Sequence, residues 1–206
     1  MYDTHPPVTS LPSAPAPAPV TPAPARATSG GPWREVRDED ELAALLGEPH
    51  PIVIDKVHGE LTEGDLDILA RSPLCVVSTS DADGNCDASP RGDDAGFVRA
   101  LGPRTLVLPE RPGNRRGDSL RNILSNPHVG LLHLVPGSPE VLRVNGRARV
   151  VSDAPFFDDL AADGKRPALA VVVEIDEIFL HCSQSLRRAD LGWTRTPKAR
   201  AGSAEN

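Results

Sequence analysis

The chain has 206 residues, 29 acidic against 22 basic, with a formal charge of −7 and an isoelectric point near 5.3. That length suffices for one good core, and the acidic balance argues against a general nucleic-acid binder, which carries a basic face. Aromatic residues make up only 3%, so the core is expected from Val, Leu, Ile and Ala, without base-stacking platforms.

Residues 1–31 carry the Pro/Ala tract "SAPAPAPVTPAPA". Proline fixes φ and removes amide donors, so this stretch reads as a disordered extension. Residues 32–195 are expected to form one domain and residues 196–206 a flexible tail. "RDEDELAALLG" spaces Leu42, Leu45 and Leu46 as one helix face closed by Gly47. "LTEGDLDILARS" predicts a second helix, with Thr62 as cap and Leu66 and Leu69 or Ala70 inward.

The period then changes to that of strands. "PLCVVSTS", "DADGN" and "CDASP" read as strand, tight turn and strand, with Asp83-Gly84 supplying the turn. "GFVRAL" and "RTLVLPE" read as a second hairpin. "DSLRNILSNP" is a helix with Leu120, Ile123 and Leu124 on one face and Asp118 as its N-cap.

"HVGLLHLVPG" is a strand ending in a Pro-Gly turn. "VLRVNGRARVV" alternates Leu142, Val144, Gly146, Ala148 and Val150 with Arg143, Asn145, Arg147 and Arg149, a half-buried antiparallel strand. "SDAPFFDDLAADG" predicts a helix, and "PALAVVVEIDEIFLHC" a long buried strand. Strands joined mostly by hairpins, with helices around them, favour a mainly β (α+β) fold built on a small antiparallel barrel of some six strands.

Three cysteines (Cys75, Cys86 and Cys182) are an odd number with no C-x-x-C pair, so neither a disulfide framework nor a metal site is expected. No apolar run approaches the roughly 20 residues that span a bilayer, and no secretory signal pattern is visible. The expectation is a cytoplasmic protein without a membrane or nucleic-acid partner. His133 and the His181-Cys182 pair show no base and nucleophile arrangement, and no catalytic acid or base is apparent.

The densest chemistry lies in "RPGNRRGDSLRNIL". Arg111, Asn114, Arg115 and Arg116 precede a helix that Ser119 helps to open. A helix N-terminus leaves N–H groups unsatisfied and favours an anion, and arginine adds planar phosphate recognition. Arginine at that end opposes the helix dipole, which a bound anion would reverse. A phosphate socket and a solvated basic turn both remain open on these residues alone. "DASPRGDDAGF" places Ser89 and Arg91 where a strand leaves the sheet, with Asp93 and Asp94 as local partners for the arginine.

The stretches "DASPRGD" (87–93), "RPGNRRGDSLRNILSNPHVGL" (111–131) and "LRVNGRA" (142–148), in this order, resemble the pyridoxamine phosphate oxidase-like, FMN-binding split-barrel family. The resemblance runs roughly from Trp33 to Trp193. It implies a six-stranded antiparallel split barrel, a homodimer with flavin at the interface, and FMN as cofactor for oxidoreductase chemistry on a small molecule. By position, Arg115 and Arg116 fall where the family places cationic phosphate ligands. Ser89 and Arg91 fall on a strand that lines the flavin, and Arg111, Asn114 and Ser119 beside the phosphate or ribityl chain.

The C-terminal Arg-x-His of true pyridoxamine phosphate oxidases is absent, and "HCSQS" stands where the subgroup's tail often reads like "HCAKA". Alternatives within the fold are a deazaflavin- or haem-binding relative; outside it stand a non-catalytic flavin-binding or redox-sensing module and a structural dimer without cofactor.

Overall fold

A computed structural model describes residues 33–48, 55–182 and 184–189. The extension expected at 1–31 and the tail expected at 196–206 lie outside the described residues. The chain divides into two units, Met1–Glu48 and Pro49–Asn206.

In the first unit, helix α1 (Glu39–Leu46) begins where Asp38 accepts a hydrogen bond from the Glu41 amide, and it ends at Gly47 with φ of 75°. Gly47 is the residue that tolerates this conformation. The helix forms as expected, and Leu42, Leu45 and Leu46 along its face are 45%, 62% and 76% accessible.

In the second unit, α2 (Glu63–Arg71) is started by a capping box. The Asp65 amide donates to Thr62 Oγ1 (3.3 Å) while Asp65 Oδ2 accepts from the Thr62 amide (2.8 Å). This box sets the helix rotation. Asp65, Ile68 and Leu69 turn inward, Leu69 rather than Ala70 being the inward residue of the expected pair, whereas Leu66, also expected inside, faces solvent.

Seven strands follow: β1 (Leu74–Ser80), β2 (Cys86–Gly92), β3 (Arg99–Gly102), β4 (Thr105–Pro109), β5 (His128–Leu134), β6 (Glu140–Val151) and β7 (Ala170–Cys182). They pair antiparallel in the order β2-β1-β5-β6-β7-β4-β3. This is the expected antiparallel split barrel with seven strands rather than six, β3 being a four-residue edge strand. The β1–β2 turn forms as predicted, with Gly84 at φ of 85° and Asp81 Oδ1 accepting from the Asp83 and Asn85 amides, each at 2.9 Å.

Helix α3 (Asp118–Ser125) joins β4 to β5. Asp118 is its first residue rather than its cap; Gly117, at φ of 67°, holds the cap position without a side-chain hydrogen bond. Ile123 is buried, but Leu124, predicted on the same face, is 77% exposed. The predicted helix after β6 is a 3₁₀ turn (Pro155–Leu160), closed by short-range bonds such as Phe157 N–H to Ala154 O at 3.1 Å. Its Phe157 and Leu160 pack with Val107, Ala170 and Val172 in a small second core. Helix α4 (Gln184–Ala189) ends the described residues.

The main core draws on β1, β4, β5, β6, β7 and α2 through residues such as Val77, Leu106, Leu131, Val144, Val173 and Ile175. β6 follows the predicted alternation, with Leu142, Val144, Gly146 and Ala148 buried and Arg143, Arg147 and Arg149 exposed. Its ladder with β7 slips at Asn145/Gly146. There a Cβ on Gly146 would lie 2.1 Å from the Glu174 carbonyl oxygen, so only glycine fits. Among the described residues, no helix is long and apolar enough to cross a membrane.

Candidate functional site

Helix α3 is laid on β1 and β2 by one polar stripe. Ser119 Oγ donates to Asp87 Oδ2 (2.7 Å), Asn122 Nδ2 to Thr79 Oγ1 (3.0 Å) and Asn126 Nδ2 to Ser80 Oγ (2.9 Å). The spacing of three and four residues puts these groups on one side of the helix, with buried Ile123 beside them. A narrow cleft opens between α3 and strands β1, β2, β4 and β7. Val77, Leu108, Ile123 and Val171 make its walls apolar, while Arg91, Glu110 and Ser119 supply polar groups.

Of the predicted site residues, Ser89 and Arg91 sit on β2 and are half-buried together with Asp87, the alternate positions being exposed. The Arg91 guanidinium is ion-paired with Glu110, not with Asp93 or Asp94 as its immediate neighbourhood suggested. Asp93 pairs instead with Arg111, which also donates from Nη1 to the Leu160 carbonyl at 2.9 Å. Two ion pairs therefore link the end of β2 to the end of β4. Burial alone would raise the Asp93 carboxyl, but the Asp94 amide and the Arg111 guanidinium hold it below the ordinary carboxylate range.

The loop from Glu110 to Gly117 carries the remaining candidates. Asn114 Oδ1 accepts from the Arg116 amide (3.0 Å), and Arg116 Nε donates to Asp118 Oδ2 (2.8 Å). Arg121 Nη1 donates to the Arg116 carbonyl and to Asp118 Oδ1, the latter at 3.3 Å. Arg115 adopts φ of 62°, unusual for a residue with a Cβ, and among the described residues its side chain has no hydrogen-bond or ion-pair partner. The loop is tied to the cleft at both ends, through Glu110 and Ser119.

The other sequence candidates lie elsewhere. Arg143 stacks over the Phe179 ring at 4.9 Å, on the exposed face of β6. His181 is exposed, and the Cys182 side chain lies outside the described residues. Cys75 and His133 face each other inside the barrel, Sγ to Nε2 at 3.8 Å, both fully buried. Burial pushes the thiol up to about 12 and the imidazole down to about 4, so the pair is a neutral thiol beside a neutral ring rather than an activated nucleophile. Among the described residues, no group of three or more His, Cys, Asp or Glu side chains could hold a metal ion.

Two residues of the site escaped the sequence reading: Glu110, directly before the cationic loop, and Asp87, at the head of the "DASPRGD" stretch. Each is the carboxylate acceptor for a residue that was singled out, and a search for such acceptors beside each cationic motif would have found them.

Residues 61–182, more than half of the chain and inclusive of every candidate residue, match the family described as pyridoxamine 5'-phosphate oxidase. No curated protein matches the chain. Among solved structures, the chain is similar to HupZ of Group A Streptococcus, with 19% identity over 60% of this chain and 95% of that one and a TM-score of 0.49. It is similar to a proposed pyridoxamine 5'-phosphate oxidase of Lactobacillus delbrueckii, with 27% identity over 59% and 95% and a TM-score of 0.48. It is also similar to an FMN-binding protein of Syntrophomonas wolfei subsp. wolfei, with 14% identity over 55% and 80% and a TM-score of 0.43.

Proposed function

We propose that this chain, which belongs to the pyridoxamine 5'-phosphate oxidase family, binds FMN in the cleft beside α3 and acts as an FMN-dependent oxidoreductase on a small molecule. One observation carries the reading. The arginine-rich loop, anchored at both ends on an apolar cleft, leads into a helix whose N-terminus lacks a side-chain cap. Uncapped amides and an Arg115 without a partner among the described residues suit a phosphate, and apolar walls suit a flat ring system.

In this reading Arg115 and Arg116 hold the phosphate, with Asn114 and Ser119 bonding to it or to the ribityl chain. Ser89 and Arg91 border the ring, and Arg111 keeps the loop in place through Asp93. Val77, Leu108, Ile123 and Val171 exclude water from the ring face. The flavin, when bound, supplies the hydride or electron transfer, and the protein's share is binding, orientation and tuning.

A homodimer with the flavin at its interface goes with this proposal, and Leu124, exposed on α3, is an apolar surface that a partner copy would cover. A cytoplasmic setting is supported by the free thiols of Cys75 and Cys86.

The test is the chromophore of the purified full chain. A yellow protein that releases FMN on denaturation and oxidises NAD(P)H with a suitable acceptor supports the proposal. Flavin bound without turnover reduces it to a carrier or sensor. A colourless protein that takes up a deazaflavin or haem but not FMN overturns it.

A further inference from the structure

Away from the cleft, His58 lies where both ring nitrogens meet acceptors. Nδ1 is 2.9 Å from the Lys56 carbonyl oxygen, and Nε2 is 2.8 Å from Asp65 Oδ2. A neutral imidazole has one N–H and one lone pair, so it satisfies one contact and turns a lone pair on the other. The imidazolium donates to both.

Its partner makes the charge matter. Asp65 is 1% exposed, and its Oδ1 is buried without a hydrogen-bond partner among the described residues. Oδ2 already accepts from the Thr62 amide (2.8 Å) and the Thr62 hydroxyl (2.7 Å). The imidazolium is the one cation touching this carboxylate among the described residues, and a buried ionised carboxylate needs such a partner. His58 is also stitched to the middle of β7. Its amide donates to the Ile178 carbonyl (3.0 Å), and the Ile178 amide donates back to the His58 carbonyl (2.7 Å).

We infer that His58 and Asp65 form a pH-sensitive clasp, in which the imidazolium fastens residues 56–62 onto α2 and Ile178 of β7 and deprotonation loosens that fastening. The charged groups nearby leave this pair in control. On the same segment, Lys56 puts its ammonium over the Phe179 ring at 5.5 Å, and Asp55 and Glu60 are exposed, as is Glu63 on α2. On β7, Asp176 is paired with Arg147 and Glu177 accepts from Asn145. Arg104, before β4, donates to the Ile175 carbonyl.

The hydrogen bond to Asp65, partly offset by burial, raises His58 above the ordinary histidine value of 6.5. Burial would raise Asp65, but its bonds to His58 and Thr62 outweigh this and hold it below the ordinary carboxylate value. For a raised histidine the sign is definite: the fastening is complete below pH 6.5 and is lost as pH rises through the folded-state pKa.

The wild-type full chain tests this without any variant. Imidazole ¹H–¹⁵N spectra across a pH series, with the His58 signals identified by their loss in His58→Gln, report its protonation. Amide hydrogen exchange, corrected for intrinsic rate, reports the stitch to β7. The clasp requires both ring nitrogens protonated at pH 6.5, with titration above it. It also requires exchange at the His58 and Ile178 amides to accelerate as pH rises from 6.5 to that midpoint, by up to about tenfold per pH unit, and to level off beyond it. The Ile175 amide, bonded to the Arg104 carbonyl, keeps its rate. Asp65→Asn, where it folds, brings the His58 midpoint down. Titration of wild-type His58 at or below 6.5, or equal protection of the two amides on both sides of the titration, overturns the proposal.

Discussion

Arg91 and Glu110 tie together the two ends of the strand order, because β2 is one edge of the sheet and β4 lies next to the other. No backbone ladder joins these strands, so the seam there is bridged by side chains, with Arg111–Asp93 as the second link. Both side chains of the first pair are about a quarter exposed or less, at 20% and 25%. That shields the attraction from full solvent screening without stranding a bare charge. A double-mutant cycle of Arg91→Ala and Glu110→Ala, followed by urea unfolding, is expected to show a coupling of about 1 kcal/mol. Additive single effects would mean that the seam does not depend on this contact.

Gly146 holds the β6–β7 crossing in a way no side chain permits. The atom a Cβ would strike is a backbone oxygen, that of Glu174, at 2.1 Å. A flexible side chain could swing away, but a ladder carbonyl moves only with its strand. Gly146→Ala is therefore expected to cost about 3 kcal/mol or more. Gly102→Ala, where nothing lies within 4 Å, serves as the control. Equal urea midpoints for the two variants would remove the steric argument.

The Arg116–Asp118 pair sets opposite expectations for two variants. A charge-assisted hydrogen bond contributes about 1.5–3 kcal/mol, so Arg116→Ala should weaken FMN binding by roughly ten- to a hundredfold. Asp118→Asn removes the carboxylate that competes for this guanidinium and should tighten FMN. The same change withdraws an acid from the first turn of α3 and costs about 0.3–1 kcal/mol of stability. Arg143→Ala, on the far face of β6, should affect FMN less than Arg116→Ala. Fluorescence titration with FMN reads all three; a folded Arg116→Ala protein with wild-type affinity would remove Arg116 from the site.

The parts of the fold that were legible are those governed by local period. The alternation from Leu142 to Val150 foretold both faces of β6, and Thr62 marked the start of α2. What the period left open is helix rotation in elements of two turns. Leu66 and Leu124 satisfy an apolar spacing yet face solvent, because Asp65 in its capping box and the Ser119–Asn122–Asn126 stripe decide which side turns inward. The arginine loop was legible as chemistry, since cations against a helix dipole stand out in any register. Its carboxylate partners were not. Glu110 reaches Arg91 from 19 residues away, across strands that share no hydrogen bonds. The 3₁₀ turn at Pro155–Leu160 escaped for a related reason: six residues with apolar spacing look alike whether they close three- or four-residue rings.

Acid stability turns on His133. Its ring is fully buried, Nδ1 has no hydrogen-bond partner among the described residues, and burial pushes its pKa down to about 4. The unfolded chain binds that proton near 6.5, so between these values the unfolded state holds more protons and stability falls as pH falls. The slope approaches about 1.4 kcal/mol per pH unit. Other shifted groups leave this window clear. Asp65 and Asp93 are held below the ordinary carboxylate value and respond only in stronger acid. The raised His58 contributes a constant amount once pH is well below 6.5. Urea unfolding at pH 7, 6 and 5 should therefore show a loss for the wild type that His133→Leu reduces by about 2 kcal/mol at pH 5. Parallel curves for the two proteins across that range would mean that the imidazole takes up its proton inside the folded barrel.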